Sequence, residues 1–343
     1  MRIAQVSPLY ESVPPKLYGG TERVVSTLTE ELVGMGHDVT LFASGDSLTS
    51  ARLIPCCPRS LRLDEGSMDQ YAHHIYMLEQ VQQHLDEFDM VHYHTDYSHF
   101  PLSRRNEKPN LTTLHGRLDI PDLVALFNEF RDLPMVSISD NQRTPLPKQN
   151  WQATIYHGLP ETMLTLEPRE GQYLAFLGRV SPEKGLDRAI EVAKRVGIPL
   201  KIAAKVSADD RAYYTEVIKP MLNDPLIEFI GEIGEDQKQE FLGNAIALLF
   251  LINWPEPFGL VMIEAMACGT PVIGYDLGSV PEVVEEGVTG FIVRNQEEAV
   301  QAVKRIDSID RLSCRNTFER RFSASRMAND YVTLYKKLLN HRQ

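Results

Sequence analysis

The sequence of 343 residues has few cysteines, and their spacing matches no common metal or disulfide pattern. There are four cysteines, and two of them, Cys56 and Cys57, are adjacent. This arrangement gives neither a zinc spacing nor a disulfide framework. Cys268, between Ala267 and Gly269, has the neighbours of a side chain that fills a small space in a core. The cysteine usage therefore predicts a reducing compartment, and we expect the protein to be cytoplasmic.

Long apolar runs are also missing from the chain. No segment reaches the roughly 18 apolar residues that a membrane-spanning helix requires. Residues 1–4 lead directly into an apolar strand, so we expect no secretory signal. These absences argue against an integral membrane segment, and they leave peripheral contact with a membrane open.

Positive charge is the third shortage. The chain carries 35 Lys and Arg against 47 Asp and Glu, a formal net charge of −12 at pH 7. Residues 1–165 hold 13 of the basic and 21 of the acidic side chains, so this half is the more acidic one. A chain of this sign repels nucleic acid, which we exclude as a partner. The acidic first half also weakens the option of an anionic lipid surface, because such a surface attracts clusters of lysine and arginine.

The length and the pattern of strands and helices predict two α/β domains. A chain of 343 residues exceeds what one hydrophobic core normally serves. Strand and helix patterns alternate in both halves, which is typical of doubly wound parallel sheets. We assign residues 1–158 to the first domain and 173–322 to the second, with a final amphipathic helix over 323–343. Residues 159–172 hold two prolines and a glycine without any period, and we predict a linker there.

The stretch 253–286 carries the strongest functional signal. It follows an apolar run, residues 245–252, which predicts a buried strand. The two prolines that flank Glu256 are incompatible with both a helix and a hydrogen-bonded β-strand, so we predict that Glu256 lies in a loop at the carboxyl end of that strand. A helix predicted from residue 258 onward carries Glu264. Ligands of open parallel sheets bind at this edge, and the N–H groups at a helix N terminus attract phosphate.

Glu256 and Glu264 are separated by seven residues and are followed by AMACGTPVI and GSVPEVVEEGVTGFIV. This pattern resembles the donor-site signature of the retaining glycosyltransferases of family 4 (glycosyl transferases group 1). Their GT-B fold has two Rossmann-like domains with doubly wound parallel sheets facing across a cleft, and a C-terminal helix that crosses back to the first domain. The resemblance implies that Glu256 holds sugar hydroxyls of a nucleotide-sugar donor and that Glu264 holds the ribose. Without the resemblance, the favoured interpretation is that Glu256 is a solvated loop carboxylate and Glu264 an ordinary residue on a helix surface.

A second motif, GRVSPEKG at residues 178–185, follows a predicted strand and precedes an amphipathic helix. Arg179 and Lys184 fall in this strand-to-helix loop, again at the carboxyl edge of the sheet. A fork-shaped cation and a flexible one suit a diphosphate. The motif resembles the family's second donor signature, which implies that both residues bind the diphosphate and stabilise it as it departs. The alternative is a plain surface arginine and lysine.

The resemblance extends the donor site to further residues. In the second domain these are Lys205 at a strand end, Gly231 and Glu232 where the family seats the base, and the loop and helix start Pro257, Phe258, Gly259 and Leu260. In the first domain, Gly19 and Gly20 precede a helix, and the resemblance places this turn at the inter-domain cleft. A glycine pair also makes a plain tight turn. Gly278 and Ser279 stand where many relatives have two glycines, so we expect ligand contacts to differ there.

Histidines mark the strand ends of the first domain. His115 follows a strand predicted over 110–114, and the resemblance implies that it faces the donor sugar, completing a catalytic set with Glu256, Arg179 and Lys184. The alternative is a loop histidine whose hydrogen bonds are satisfied within the protein. His92 and His94 alternate along one strand and share a face, but no further ligand stands at a suitable spacing, so we expect no metal there.

The expected activity is transfer of a hexose, with retention, from a nucleotide sugar to an acceptor hydroxyl on a small molecule or glycan. Family frequency favours a UDP-linked donor. The chain has no Asp-x-Asp, the motif by which GT-A enzymes hold a divalent ion, so we expect neither a metal nor another cofactor. No carboxylate stands out as a covalent nucleophile, which favours a front-face route. The alternatives are a GT-B-like sugar-nucleotide epimerase and a non-catalytic sugar-binding protein, while the missing GxGxxG disfavours a nicotinamide dehydrogenase.

Overall fold

The computed structural model describes residues 1–17, 19–64, 66–169 and 171–340. These residues form two compact units. One contains residues 1–158 and the C-terminal helix from Ala324 onward, and the other is Leu159–Ser323. Each unit is built on one parallel β-sheet, so the predicted pair of Rossmann-like doubly wound domains is confirmed.

The first unit has a seven-stranded sheet with the order β3-β2-β1-β4-β5-β6-β7. Its strands are β1 (Arg2–Val6), β2 (Asp38–Ser44), β3 (Arg52–Cys57), β4 (Met90–Tyr93), β5 (Asn110–Thr113), β6 (Met135–Ser137) and β7 (Trp151–Thr154). Its helices before the second unit are α1 (Gly20–Gly34), α2 (Gln70–Gln83), α3 (Phe100–Ser103) and α4 (Leu123–Glu129). The central strands β1 and β4 are buried along nearly their whole length, and the polar side chains of Gln5 and His92 are buried together with the apolar ones.

The second unit has a six-stranded sheet with the order β10-β9-β8-β11-β12-β13. Its strands are β8 (Tyr173–Arg179), β9 (Leu200–Lys205), β10 (Ile227–Gly231), β11 (Ala245–Phe250), β12 (Val272–Tyr275) and β13 (Gly290–Val293). Its helices are α5 (Leu186–Val196), α6 (Arg211–Tyr213), α7 (Lys219–Met221), α8 (Glu235–Gly243), α9 (Leu260–Ala267), α10 (Val280–Val283), α11 (Gln296–Lys304) and α12 (Arg311–Phe322). One apolar core packs α5 and α11 against the sheet.

The segment 159–172, expected to be a linker, packs on the second unit in its described part. Leu164 is buried, and the Arg315 guanidinium donates to its carbonyl at 2.6 Å. Arg311 donates to the carbonyl of Glu167 at 2.7 Å. The carbonyls of an irregular segment lack the hydrogen-bond donors that a helix or a sheet would provide. The several N–H groups of an arginine side chain donate to them instead. The chain therefore passes into the second unit directly at Leu159.

The last helix, α13 (Ala324–Asn340), belongs to the first unit. Its buried face includes Tyr331 and Tyr335. The Tyr331 hydroxyl lies 2.9 Å from Thr113 Oγ1, and the Tyr335 hydroxyl lies 2.7 Å from His92 Nδ1. The return of the final helix to the first domain, which the family resemblance implied, is present. Within the described residues, no helix is both long enough and apolar enough to cross a lipid bilayer.

Candidate active site

The strand order of the second unit reverses between β8 and β11. From β8 the chain adds β9 and β10 on one side, and then places β11, β12 and β13 on the other. Loops that leave two adjacent strands at such a point diverge, and ligands of doubly wound sheets bind in the crevice between them. Arg179 is the last residue of β8 rather than part of the loop that follows, because the strand runs two residues further than predicted, and Glu256 lies in the loop after β11. The two predicted donor signatures therefore lie at the same switch point.

An ion pair joins the two signatures. Lys184 Nζ donates to Glu256 Oε2, and only 15% and 12% of the two side chains are exposed. Lys184 Nζ also lies 5.0 Å from the centre of the Trp254 ring. A backbone bond adds to this link, because the N–H of Asn253 donates to the carbonyl of Glu183 at 2.7 Å. Glu256 is therefore a held, largely buried carboxylate, and the alternative of a solvated loop residue is wrong.

A third loop fixes the backbone of Glu256. Gly278 has a φ of 57°, and a Cβ there would lie 2.4 Å from the Glu256 nitrogen, so the approach requires glycine. The N–H of Ser279 donates to the Glu256 carbonyl at 3.0 Å. The buried Ser279 hydroxyl donates to the carbonyl of Phe258 at 2.7 Å. The Ser279 hydroxyl therefore donates its hydrogen bond within the protein and stabilises the loop that carries Glu256.

Arg179 is held between two carboxylates. Its Nη2 donates to Glu183 Oε1 at 2.5 Å, and its Nε lies 3.3 Å from Asp210 Oδ2. The side chain is 39% exposed, so part of the guanidinium remains accessible. Lys205, the last residue of β9, is the register neighbour of Arg179 and brings a second cation to this edge. Asp210 was not predicted as a site residue, because it follows β9 outside any recognised motif.

The N terminus of α9 opens three residues after Glu256. Gly259 precedes the helix with a φ of 78° and no side-chain cap, and Leu260 is the first helical residue. Pro257 and Phe258 are buried beneath this turn. The first N–H groups of a helix have no intrahelical partners and carry the positive end of the dipole. This turn therefore offers backbone donors to an anion.

Glu264 lies inside α9 with 3% of its surface exposed. Its Oε1 accepts from Lys238 Nζ of α8 at 2.6 Å, and Lys238 also lies 3.4 Å from Glu235 Oε2. The alternative of a helix-surface Glu264 is therefore wrong. Lys238 was not predicted as a site residue, because a lysine on a polar helix gives no local sign of a buried partner.

Gly231 is the last residue of β10, and Glu232 follows it at the same edge of the sheet. Gly231 has a φ of 83° and open space where a Cβ would lie, so its backbone is accessible from that side. Glu232 is exposed. The role of backbone groups here in seating a base stays a prediction.

The glycine turn of the first unit lies directly before α1. Gly19 is the residue before the helix, and Gly20 begins it. A Cβ at Gly19 would lie 2.7 Å from Pro15 Cβ, so the packing of its own loop already explains that glycine. Glu22 in the first turn is buried, and burial raises the pKa of its carboxyl to about 7. Glu22 is not among the predicted site residues.

His115 lies just beyond β5 and belongs to a group of histidines. Its Nε2 is 2.8 Å from His94 Nδ1, and its ring stacks on that of His157 with the centroids 5.2 Å apart. Its buried Nδ1 has no hydrogen-bond partner among the described residues. Burial lowers the pKa of His115 to about 3, so the ring is neutral near pH 7. A neutral imidazole whose second nitrogen has no hydrogen-bond partner within the protein can bind a hydroxyl, but it is a weak base.

Comparison with known families identifies the chain. The sequence model of glycosyl transferases group 1 matches residues 165–321. The model of glycosyltransferase family 4 matches residues 18–154. The protein belongs to glycosyltransferase family 4. It is thus a transferase by family, and both of its units are covered by the match.

Curated relatives are distant. The N-acetyl-alpha-D-glucosaminyl L-malate synthase of Bacillus anthracis is 24% identical over an alignment that covers 94% of each chain. The D-inositol 3-phosphate glycosyltransferase of Mycobacterium marinum is 32% identical over 148 residues, 40% of this chain and 30% of that protein. An uncharacterized 41.2 kDa protein in the cps region of Klebsiella pneumoniae is 29% identical over 177 residues, 48% of this chain and 46% of that protein. The match therefore spans less than half the length of the last two relatives.

Solved structures share the fold. AviGT4, a glycosyltransferase involved in avilamycin A biosynthesis, superposes with a TM-score of 0.77 at 23% identity, covering 99% of this chain and 98% of that one. HepE of Anabaena in complex with UDP and glucose gives a TM-score of 0.77 at 15% identity, covering 98% and 100%. At these identities the likeness establishes the GT-B fold, as the sequence predicted.

Proposed function

We propose that this family 4 glycosyltransferase moves a hexose from a UDP-linked donor to an acceptor hydroxyl, with retention and without a metal. The ion pair between Lys184 and Glu256 carries the proposal. It brings a cation from one donor signature and a carboxylate from the other to the switch point of the second sheet. The fold shared with HepE, which was solved with UDP-glucose, supports the choice of donor.

Each group at this edge suits one part of such a donor. Arg179, Lys184, Lys205 and the first N–H groups of α9 would bind the diphosphate. Glu256 would accept hydrogen bonds from sugar hydroxyls, and Glu264 from the ribose. The backbone at Gly231 and Glu232 would seat the base. This assignment needs no divalent ion, because the cations and the helix end supply the positive charge.

The proposed chemistry follows a front-face route. The bond between the anomeric carbon and the phosphate oxygen breaks while the acceptor oxygen bonds to that carbon from the same face. The acceptor's proton passes to the departing phosphate, so no enzyme base is consumed. Arg179 and Lys184 stabilise the charge that develops on the diphosphate, the kind of effect that often dominates group transfer.

The test begins with a scan of nucleotide sugars for slow hydrolysis, since that needs no acceptor. We expect UDP-hexoses to be hydrolysed, with release of the α-anomer from an α-linked donor in proton NMR, and with full activity in excess chelator. Arg179→Ala should lose most of this activity, whereas Arg195→Ala, at an exposed surface pair in the same unit, should not. Release of the inverted anomer, or loss of activity in chelator, would remove the corresponding part of the proposal.

A further inference from the structure

A chain of buried hydrogen bonds runs through the first unit from α13 to His115. Gln5 Nε2 lies 3.2 Å from the Tyr335 hydroxyl, and Gln5 Oε1 lies 2.8 Å from His94 Nε2. His94 Nδ1 in turn lies 2.8 Å from His115 Nε2. Gln5, His94 and Tyr335 are each no more than 1% exposed. Water therefore does not compete for these bonds, and each proton must serve a protein partner.

The distances determine the direction of the chain at Gln5. A separation of 3.2 Å from Tyr335 fits an N–H donor, whereas O–H to O bonds are about 2.5–3.0 Å long. The amide nitrogen therefore faces Tyr335, and the amide oxygen faces His94. An amide oxygen only accepts, so His94 must carry a proton on Nε2.

Because the rings of His94 and His115 are both neutral, the proton position on His94 determines the proton position on His115. Burial, with His92 and His115 close by, lowers the pKa of His94 well below its usual value, and burial alone lowers that of His115 to about 3. Each ring then holds one proton. Because the His94 proton is on Nε2, its Nδ1 is an acceptor and binds the Nε2–H of His115. The Nδ1 of His115 is left as a bare lone pair, and this is the buried atom without a partner among the described residues.

We propose that Gln5 and His94 are positioning residues that set the tautomer of His115, so that His115 Nδ1 accepts a hydrogen bond from a hydroxyl of a bound sugar. The identity of the ligand rests on the proposed function, while the tautomer does not. An acceptor nitrogen suits a polyol, every hydroxyl of which can donate. It offers nothing to a phosphate oxygen, which only accepts. His115 would therefore hold the sugar rather than remove its proton.

The direct test is nitrogen NMR of the full chain with labelled histidine, with the His115 signals assigned by their loss in His115→Asn. An unprotonated ring nitrogen resonates far downfield of a protonated one. We expect the proton of His115 on Nε2 and the downfield signal from Nδ1. A proton on Nδ1 would overturn the proposal.

Two variants of equal size test the role of the amide. Gln5→Met removes the acceptor for His94, so the His115 proton should move at least in part to Nδ1. Gln5→Glu keeps an acceptor oxygen at that position, so the wild-type tautomer should persist. An unchanged His115 tautomer in a folded Gln5→Met, or a lost tautomer in Gln5→Glu, would show that Gln5 does not set the tautomer.

Hydrolysis of UDP-glucose gives the functional readout. We expect kcat for Gln5→Met to fall about tenfold or more while the Kd of UDP stays within about twofold, and Gln5→Glu to recover kcat. Equal loss in both variants would indicate a structural effect and contradict the positioning role. Absence of hydrolysis by the wild-type chain would count against the proposed function, while the spectra would still decide the tautomer.

Discussion

Lys184 donates to Glu256 across 72 positions of the sequence, joining the loops that follow β8 and β11. Both side chains are mostly buried, so water screens their charges poorly. Removing either partner leaves the other charge buried and unpaired, which costs more than the pair itself contributes. The two donor signatures are far apart in the sequence, but we expect their contributions to stability to be coupled through this ion pair.

A double-mutant cycle measures this coupling. We expect Lys184→Met and Glu256→Gln each to lower the free energy of unfolding of the second unit by about 3 kcal/mol. The double variant should lose less than the sum by about 1–3 kcal/mol. In a Trp151→Phe background, which removes the tryptophan of the first unit, urea unfolding followed by the fluorescence of Trp254 beside Lys184 reports on the second unit. Arg195→Met and Glu297→Gln, at an exposed pair, should couple by about 1 kcal/mol or less, and strict additivity at Lys184 and Glu256 would contradict the expectation.

Glu256→Gln should separate turnover from nucleotide binding. The variant loses the charge that we propose to hold the sugar hydroxyls, so kcat for donor hydrolysis should fall about 10²–10³-fold. The freed Lys184 ammonium can still bind phosphate, so the Kd of UDP should change little. Glu240→Gln, on an exposed part of α8, is the matched control. Wild-type turnover in Glu256→Gln would remove this residue from the site.

Glu264 is predicted to accept a hydrogen bond from the ribose. In the wild-type chain, UDP should bind more tightly than 2′-deoxy-UDP by about 1.5 kcal/mol or more, the value of a bond to a charged group. Glu264→Gln should shrink this difference, as measured by calorimetry. Lys238→Met, which removes the other partner of Glu264, should lower stability but keep the discrimination. An undiminished preference for UDP in Glu264→Gln would place the ribose elsewhere.

Glu22 should make the stability of the first unit depend on pH. Burial raises the pKa of its carboxyl from 4.5 to about 7, so the folded state favours the protonated form. The stability linked to this proton is complete below pH 4.5 and is lost as the pH rises through about 7. Glu22→Gln should therefore be more stable than the wild type at about pH 9, by on the order of 3 kcal/mol, and the gap should close in acid. Glu79→Gln, exposed on α2, should show no such gap in thermal unfolding across pH.

Arg311 should be a major stabiliser of the second unit. Its guanidinium donates to the carbonyls of Glu167, Ala245 and Gly243 at 2.7–2.9 Å, and to Thr270 Oγ1 at 2.9 Å. A lysine cannot reach several of these acceptors at once. We expect Arg311→Lys to lower the free energy of unfolding by on the order of 3 kcal/mol, and Arg320→Lys, which is largely exposed, by under about 0.5 kcal/mol. Equal effects of the two variants would contradict this role.

The two parallel sheets and the family could be predicted from the order of the residues alone. Apolar runs bounded by glycine and proline mark buried strands locally, which is why β11 and β12 could be recognised without a structure. The same local signals placed Lys184 and Glu256 between a strand and a helix at the carboxyl edge of a sheet, and they missed the end of β8 by two residues, so that Arg179 belongs to the strand. Edge strands gave weaker signals. β3 contains Pro55, which is tolerated because an edge strand pairs on one side only.

Which charged side chains contact one another could not be predicted in this way, because it depends on the folded arrangement. Lys238 and Asp210 have no motif, and their contacts with Glu264 and Arg179 depend on how elements far apart in sequence pack together. The link from Gln5 to His115 likewise requires β1, β4 and β5 to lie side by side, since a hydrogen bond needs atoms within about 3 Å. Periodicity and turn residues are local properties, whereas burial and partner choice arise only when distant segments cover one another.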